Sequence, residues 1–303
     1  MKQNRAARFA ALALAAVLTA ALPGCSAGAA VLAGPNVSAP VRTAPEMEIS
    51  AQLVQSLRDF TAQTGAEALS QGKNVCYSPV SLYIALALAG TGAAGETQEE
   101  LYRLLGAEDT QALAEDVQLL QRTLYQEEKR CSVYLANSLW MREGVDFYDS
   151  FTQRAAEQFY AESYTLDFAA PGAGKAVGRW VNDHTKGLLQ PEISLKADDI
   201  LVLLNTVSFK ANWVDAFPAS ATETADFTKQ QGQTLACPFL RAARSGEAVT
   251  AEGWNLASLP MEGGWQMFFL LPDEGESIDG LLAGQGLAAL LNTDAAQYRQ
   301  IEW

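Results

Sequence analysis

Apolar residues recur along much of the chain at the spacing of amphipathic helices. Between residues 49 and 69, Leu53, Leu57 and Phe60 lie on one face of a predicted helix, with polar residues between them. The same period returns in three later segments, at residues 113–124, 151–159 and 177–184. Thr97 and Glu100 form a capping box, which predicts that a short helix begins at Thr97. The chain is therefore expected to start with several helices.

The dipeptide Ser78-Pro79 predicts the start of a helix that lies in the core. A serine at this place accepts hydrogen bonds from free backbone N–H groups, and proline is tolerated in the first turn because it has no N–H to leave unpaired. Residues 82–89 are apolar on every side of the helix. A helix without a polar face is expected to be covered on all sides.

Four segments have the pattern of β-strands. Residues 132–140 alternate, and residues 200–209 are a continuous apolar run interrupted by Asn205, which is typical of a strand covered on both faces. Residues 254–259 and 266–271 are expected to pair as a hairpin. Helices followed by helices mixed with strands indicate an α+β fold rather than a regular βαβ alternation.

The amino terminus has the regions of an export signal. Lys2, Arg5 and Arg8 precede an apolar stretch at residues 9–22, which a small-residue segment closes. The apolar stretch is shorter than the roughly 20 residues that a membrane-spanning helix needs. Residues 1–24 are therefore interpreted as the signal peptide of an exported protein.

The segment Leu22-Pro23-Gly24-Cys25 resembles a bacterial lipobox, in which the cysteine becomes the lipid-modified first residue of the mature protein. Cys25 is therefore predicted to carry a lipid anchor, which would be the only contact with the membrane. Residues 25–45 are rich in Ala, Gly, Ser and Pro and are expected to form a flexible tether. Residues 46–303 are assigned to one domain, outside the cell or on its surface.

The composition narrows the chemistry that this domain can perform. The chain has 303 residues, of which 49% are hydrophobic and 18% charged, as in a globular protein with a real core. The 21 basic and 35 acidic residues give a net charge of −14, which argues against nucleic acid as a partner. His184 is the only histidine, so zinc sites and histidine-dependent catalysis are disfavoured, and no cofactor is expected. Cys76, Cys131 and Cys237 share no short spacing and are expected to be scattered buried thiols.

Several segments resemble motifs of the serpin family in their order and spacing. They are NVCYSPVS at residues 74–81, GAAGET at 92–97, LANSLW at 135–140, LNTVSFKANW at 204–213 and FLLPDE at 269–274. The resemblance extends from Val54 to Leu291. It implies an α+β fold in which N-terminal helices pack on a large, mostly antiparallel sheet, with smaller sheets beside it.

The resemblance also implies an activity, which is inhibition of proteases by a suicide-substrate mechanism. A target protease, by family default a serine protease, cleaves an exposed loop, which then inserts into the main sheet as an extra strand. The protease is carried along and trapped as a distorted acyl-enzyme. Serpin loop insertion is itself an example of β-augmentation, and stored strain drives it. We accordingly expect a monomer that acts on extracellular proteases and is not itself an enzyme.

Five residues match functional regions of the family. Ser78, Ser81 and Asn205 match its sheet-opening region, and Trp213 and Thr222 match the upper end of the sheet. Independently of the resemblance, an amide inside an apolar strand needs partners, since an unpaired buried polar group costs about 1–3 kcal/mol. Serine hydroxyls from the central helix would serve. The alternative is that Ser78 is only a helix cap and Asn205 only a satisfied polar group of the core.

The carboxyl end departs from the family pattern. After a segment like residues 286–291, the resemblance implies further sheet strands, an alanine-rich hinge, the reactive loop and a closing pair of strands. None of these motifs occurs before residue 303. The expectation is an incomplete serpin domain that contains no reactive bond and is inactive alone.

Two other functions remain open. One is a non-inhibitory lipoprotein with a serpin scaffold that binds a partner. The other is an acyl enzyme with the Ser-x-x-Lys motif at Ser70 and Lys73, although this motif follows a helix and lacks its usual partner motifs. His184 is expected to be packed or capping rather than catalytic, and the pair Asp198-Asp199 to be solvated.

Overall fold

The computed structural model describes residues 35–38, 40, 43, 48–69, 73–229, 232–243, 245–282, 286–292 and 299–302. The helices are α1 (Ala51–Leu69), α2 (Pro79–Gly92), α3 (Gly95–Leu105), α4 (Thr110–Leu124), α5 (Asp149–Phe159), α6 (Ala173–His184), α7 (Ile278–Leu282) and α8 (Gly286–Leu291). The strands are β1 (Gln126–Glu127), β2 (Cys131–Arg142), β3 (Ala161–Leu166), β4 (Leu201–Ala211), β5 (Glu223–Thr228), β6 (Thr234–Phe239), β7 (Ser245–Ala251), β8 (Trp254–Met261), β9 (Trp265–Pro272) and β10 (Arg299–Glu302).

These strands form three sheets within the described residues. The first sheet is centred on β2, which pairs antiparallel with β4 and β1 and parallel with β3. The second sheet has the order β10-β7-β8-β9, and β5 and β6 form a third, two-stranded sheet. Every pair except β2 with β3 is antiparallel. The predicted α+β fold with a mostly antiparallel main sheet is confirmed, and so is the hairpin of β8 and β9.

Two apolar clusters cover opposite faces of the first sheet. Helices α1 to α5 pack on one face around fully buried side chains such as Phe60, Leu88 and Leu139. Helix α6 packs on the other face, where Trp180 lies in one cluster with Trp140 of β2. The sheet is therefore the middle layer between two layers of helix.

Strand β4 contributes side chains to both clusters, as its apolar run predicted. Leu203 and Val207 pack against helices α1 to α5, whereas Val202 and Leu204 pack against the α6 side. This coverage ends towards the carboxyl end of the strand, where Phe209 is 40% exposed. The prediction of two covered faces is thus correct for most of the strand.

The helix starts were predicted with mixed success. Ser78 caps α2, since its hydroxyl oxygen accepts a hydrogen bond from the backbone N–H of Ser81 at 3.2 Å. The capping box at Thr97 was wrong, because α3 already begins at Gly95 and its N-cap residue, Ala94, offers no side-chain cap. Thr97 therefore lies inside the first turn, where its hydroxyl has no free terminus to cap.

The predicted signal peptide and Cys25 lie outside the described residues. Part of the predicted tether contacts the domain: the backbone of Val37 pairs with Ser163 of β3, and the guanidinium of Arg122 donates to the carbonyl of Thr43 at 2.9 Å. In the described part of the chain, no helix combines the length and apolarity that crossing a bilayer requires.

The described cysteines are free thiols with different surroundings. Cys131 is buried, as predicted, but Cys76 is exposed and Cys237 is only half-buried. The expectation of three buried thiols was therefore wrong for two of them. Cys76 is exposed because it lies in the irregular segment before α2, outside any packed face.

Candidate functional site

Of the three residues assigned to the sheet-opening region, Ser78, Ser81 and Asn205, the structure joins Ser81 and Asn205 at the centre of the first sheet. Ser81 lies in the first turn of α2, and its hydroxyl donates a hydrogen bond to Oδ1 of Asn205 on β4. Among the described residues, Ser81 and not Ser78 makes this contact. Ser78 has the capping role that was weighed as the alternative, while a serine of the central helix supplies the partner that Asn205 needs.

Two residues that the sequence did not single out extend this contact into a chain of amides. Nδ2 of Asn205 donates to Oδ1 of Asn137 at 2.6 Å, across the pair of β4 and β2. Nδ2 of Asn137 donates to Oε1 of Gln121 on α4 at 2.7 Å and to the carbonyl of Phe159 at 2.6 Å. We call Ser81, Asn205, Asn137 and Gln121 the polar relay. It links two helices through two strands.

The inner half of the polar relay is enclosed by apolar side chains, whereas Ser81 and Asn205 are half-buried. Asn137 is 1% exposed and Gln121 0% exposed, and both face the cluster formed by helices α1 to α5. Each of their hydrogen bonds matters because water cannot replace a lost partner at such a site. The relay therefore fixes β4 relative to β2 and α2, and displacing the strand would leave amide groups unpaired.

Signals for the two missed residues are present in the sequence. Asn137 occupies an inward position of β2 between Leu135 and Leu139, where an apolar residue is expected. Gln121 follows Leu120 on α4 and is among the buried residues of that helix. Both residues could have been identified in the sequence as polar residues at positions where the strand or helix periodicity predicts a core residue.

The outer edge of β4 adjoins the polar relay. Strand β4 has 11 residues and pairs with β2 along one edge. Among the described residues, no strand pairs with its other edge. An unpaired edge presents backbone N–H and C=O groups on which a further strand can form.

Trp213 and Thr222 lie apart from the polar relay, beyond the carboxyl end of β4. Trp213 forms an isolated bridge with Met261 at the end of β8, and its ring is 5.7 Å from the ring of Phe217, edge to face. Thr222 follows a short 3₁₀ turn and donates its backbone N–H to the carbonyl of Ala219 at 3.3 Å. Both residues therefore lie where the first sheet meets the second and third sheets.

The described residues that were considered for enzymatic chemistry make structural contacts. His184 is half-buried, and its ring stacks on Trp180 with the centroids 4.1 Å apart. Asp199 accepts a hydrogen bond from the backbone of Lys196 in an exposed turn, next to Asp198. Ser70 lies outside the described residues. In the part of the chain that the structure covers, no three His, Cys, Asp or Glu side chains are grouped as a metal site would require.

Comparisons with known proteins agree with this architecture. A family model described as Serpin (serine protease inhibitor) matches residues 55–300. Serpin-Z7 of Hordeum vulgare is 32% identical over 241 residues, which are 74% of this chain and 59% of that protein. Corticosteroid-binding globulin of Sus scrofa is 27% identical over 226 residues, or 72% of this chain and 55% of that protein. The structure of reactive-loop-cleaved human thyroxine-binding globulin superimposes with a TM-score of 0.74 at 22% identity, covering 82% of this chain and 76% of that one.

The fold and the site together define an α+β protein whose main sheet carries helices on both faces and a polar relay at its centre. This chain belongs to the serpin family, since the family model covers most of it. The family includes protease inhibitors and also binding globulins. The chain spans less than two thirds of the length of Serpin-Z7, 59% of it.

Proposed function

We propose that the protein containing this chain inhibits serine proteases outside the cell, and that the free edge of β4 accepts the cleaved reactive loop as a new strand. The observation that carries the proposal is the unpaired edge of an 11-residue strand whose centre is held by the polar relay. The chain spans 59% of the length of Serpin-Z7, so inhibition is proposed for the whole protein.

The geometry of β4 supports strand addition. Its pairing partners in β2 run from Cys131 to Met141, so one edge is paired along its whole length, while no described strand pairs with the other edge. In an antiparallel pair, successive backbone N–H groups point alternately to the two neighbours. About half of the N–H groups of β4 therefore point to the free edge and are available to an incoming strand.

Peptide binding tests this edge directly on the 303-residue chain. An alanine-rich peptide of about 11 residues, matching β4 in length, is added in excess, and amide hydrogen exchange is followed by NMR. Every second amide between Leu201 and Ala211 is expected to become protected. The control is the same peptide with proline at alternate positions, which cannot donate to the strand. Unchanged exchange in β4, or equal effects of both peptides, would contradict the proposal.

Inhibition is tested on the product of the complete gene that encodes these residues. Incubation with trypsin-like, chymotrypsin-like and subtilisin-like proteases is expected to give a complex that survives denaturing electrophoresis. The same protease with its nucleophilic serine replaced by alanine should give none, because the trap requires an acyl-enzyme. Cleavage of the protein without a stable adduct for any protease would overturn the inhibitory function.

Export and lipid attachment are part of the same proposal. The basic residues before an apolar stretch and the Leu-Pro-Gly-Cys segment ending at Cys25 support them. Metabolic labelling with radioactive palmitate in a bacterial host is expected to label the protein and to fail for Cys25→Ser. Equal labelling of both forms would show that Cys25 is not the anchor site.

A second candidate function is that of a binding protein without inhibitory activity. Its support is that corticosteroid-binding globulin and thyroxine-binding globulin are among the similar proteins. The protease experiment separates the two candidates. A non-inhibitory protein would be cleaved as an ordinary substrate and leave the protease active.

A further inference from the structure

A carboxylate on β3 ties helix α6 to the first sheet, on the face opposite the polar relay. Oε2 of Glu162 accepts hydrogen bonds from the hydroxyl of Tyr164 at 2.6 Å and from Nε1 of Trp180 at 2.8 Å. Nε2 of His184 lies 3.5 Å from the same oxygen. We call Glu162, Tyr164, Trp180 and His184 the carboxylate latch. Two of its three contacts on Glu162 come from α6, so the latch joins this helix to β3.

The protonation state of His184 decides whether its contact with Glu162 is attractive. Nδ1 of His184 lies 2.8 Å from the backbone carbonyl of Trp180, which can only accept a hydrogen bond. Nδ1 therefore carries a hydrogen in both charge states. In the neutral ring, Nε2 then presents a lone pair to the carboxylate. In the charged ring, Nε2–H is a donor aimed at Oε2 of Glu162.

We propose that protonation of His184 fastens helix α6 to β3, and that loss of this proton loosens the helix as the pH rises. The charged and titratable groups facing His184 are Glu162 and Tyr164 of β3 and, on its own helix, the exposed Asp183. Tyr164 remains a neutral donor, since burial and Glu162 raise its pKa. Glu162 is thus the negative group of β3 that the imidazolium meets.

The electrostatic balance at the latch has the sign that this proposal requires. Burial lowers the pKa of His184, but the hydrogen bonds to Glu162 and to the carbonyl of Trp180, together with the charges of Glu162 and Asp183, outweigh burial and raise the pKa above 6.5. The hydrogen bond from His184, together with those from Tyr164 and Trp180, outweighs burial and lowers the pKa of Glu162 to about 2. Because docking raises the pKa of His184, the charged histidine stabilises the docked helix, and this stabilisation is fully present below about pH 6.5. It is lost as the pH rises through the pKa that His184 has in the docked state.

This latch bears on the same sheet as the proposed strand addition. Helix α6 lies in one apolar cluster with Trp140 of β2, Tyr164 of β3 and Leu204 of β4. Any movement of β4 relative to β2 therefore changes the surface beneath α6. Strand addition next to β4 is therefore expected to become easier at higher pH, where α6 is held less tightly. This expectation about strand addition rests on the proposed function. The pH-dependent docking of α6 does not depend on that function.

The single histidine makes the first test unambiguous. In the 303-residue chain, the imidazole resonances of His184 titrate alone, and their midpoint is expected above 6.5. Glu162→Gln keeps an acceptor of the same shape for Tyr164 and Trp180 but removes the charge. In this variant, the titration midpoint of His184 is expected to be lower than in the unchanged chain by about one pH unit or more. The control Asp183→Asn, on the same helix, should shift the midpoint by less than half as much.

Hydrogen exchange of the α6 amides is the second test. Each unit by which docking raises the pKa of His184 changes the opening constant of the helix about tenfold between low and high pH. The amides of α4 serve as the reference that corrects for the intrinsic pH dependence of exchange. After this correction, the opening constant of α6 should rise with pH by the factor calculated from the pKa of His184 that NMR measures. The rise should vanish in Glu162→Gln.

Both tests can refute the proposal without any protease or peptide. A His184 midpoint at or below 6.5, or α6 exchange that follows the amides of α4 at every pH, would overturn it. A failed peptide-binding experiment with these results intact would instead refute the proposed function and leave the latch in place.

Discussion

Replacing Gln121 with leucine tests the polar relay at its inner end. Leucine has a similar volume but cannot accept the hydrogen bond that Nδ2 of Asn137 donates at 2.7 Å. Gln121 is 0% exposed, so water cannot take its place. The amide of Gln121 itself loses only long contacts, at 3.4 and 3.5 Å to backbone carbonyls. The cost is therefore that of one buried, unpaired N–H group, about 1–3 kcal/mol of unfolding free energy.

Urea unfolding measures this cost. Tryptophan fluorescence and far-UV circular dichroism should give coincident transitions, and the slope with denaturant should not change. Gln118→Leu is the matched control, because Gln118 lies on the same helix and donates to the carbonyl of Glu157 at 2.8 Å near the surface. Water can replace that bond, so the control should change the free energy of unfolding by about 0.5 kcal/mol or less.

The double variant shows whether the two amides act as one unit. Asn137→Leu alone leaves Oε1 of Gln121 and Nδ2 of Asn205 without their partner. Adding Gln121→Leu removes the first of these unpaired groups, so the double variant should be no less stable than Asn137→Leu. The sum of the single effects should exceed the double effect by about 1 kcal/mol or more. Additive effects, or a Gln121→Leu cost equal to that of Gln118→Leu, would refute the reasoning.

Two further substitutions test close backbone contacts. A Cβ at Gly178 would lie 2.1 Å from the carbonyl oxygen of Pro191, so Gly178→Ala should displace the segment after α6. In urea unfolding this variant should lose about 1–3 kcal/mol of unfolding free energy. The control Lys175→Ala, at an exposed position of the same helix, should be close to neutral. Asn36→Pro removes a backbone N–H that donates to the carbonyl of Ser163 at 2.6 Å, so the Ser163 amide should exchange about tenfold faster with solvent. Asn36→Ala keeps that N–H and should preserve the protection of the Ser163 amide. Equal exchange in both variants would show that the backbone of Asn36 and Val37 does not hold the edge of β3.

The sequence predicted those residues of the site that differ from their immediate neighbours in the chain. Asn205 stands out because it interrupts an apolar run, and Ser81 lies three residues after a recognisable helix cap. Asn137 and Gln121 carry the same kind of signal, a polar side chain at a core position, but their pairing is not local. They meet only because β2 passes over α4, 16 residues away in the chain. No periodicity within one element reveals such a contact.

Strand β3 was not predicted at all, and this omission also concealed the carboxylate latch. Its six residues, Ala161–Leu166, do not alternate strictly between buried and exposed positions, because Ser163 and Tyr164 are both buried. The strand forms through parallel pairing with β2, which depends on the intervening helix α5. Likewise, the apolar run of β4 predicted coverage of its two faces but contains no information about its edges, because lateral pairing is set by other strands.

The registers of β2 against its two neighbours place the two polar sites: β4 brings Asn205 opposite Asn137 for the relay, and β3 brings Glu162 to the latch. Asn137 pairs with Ala161, and the next residue, Ser138, pairs with Glu162. Because side chains alternate between the faces of a sheet, Asn137 points towards helices α1 to α5 while Glu162 points towards α6. A slip of β3 by one residue would turn the carboxylate into the apolar cluster and leave Trp180 and His184 without the carboxylate that they contact. The ionised carboxylate would then be buried without a partner, which is more costly than the loss of an apolar contact. The latch therefore selects the register of β3 against β2, and the relay, in which Asn205 lies opposite Asn137, selects the register of β4 against β2.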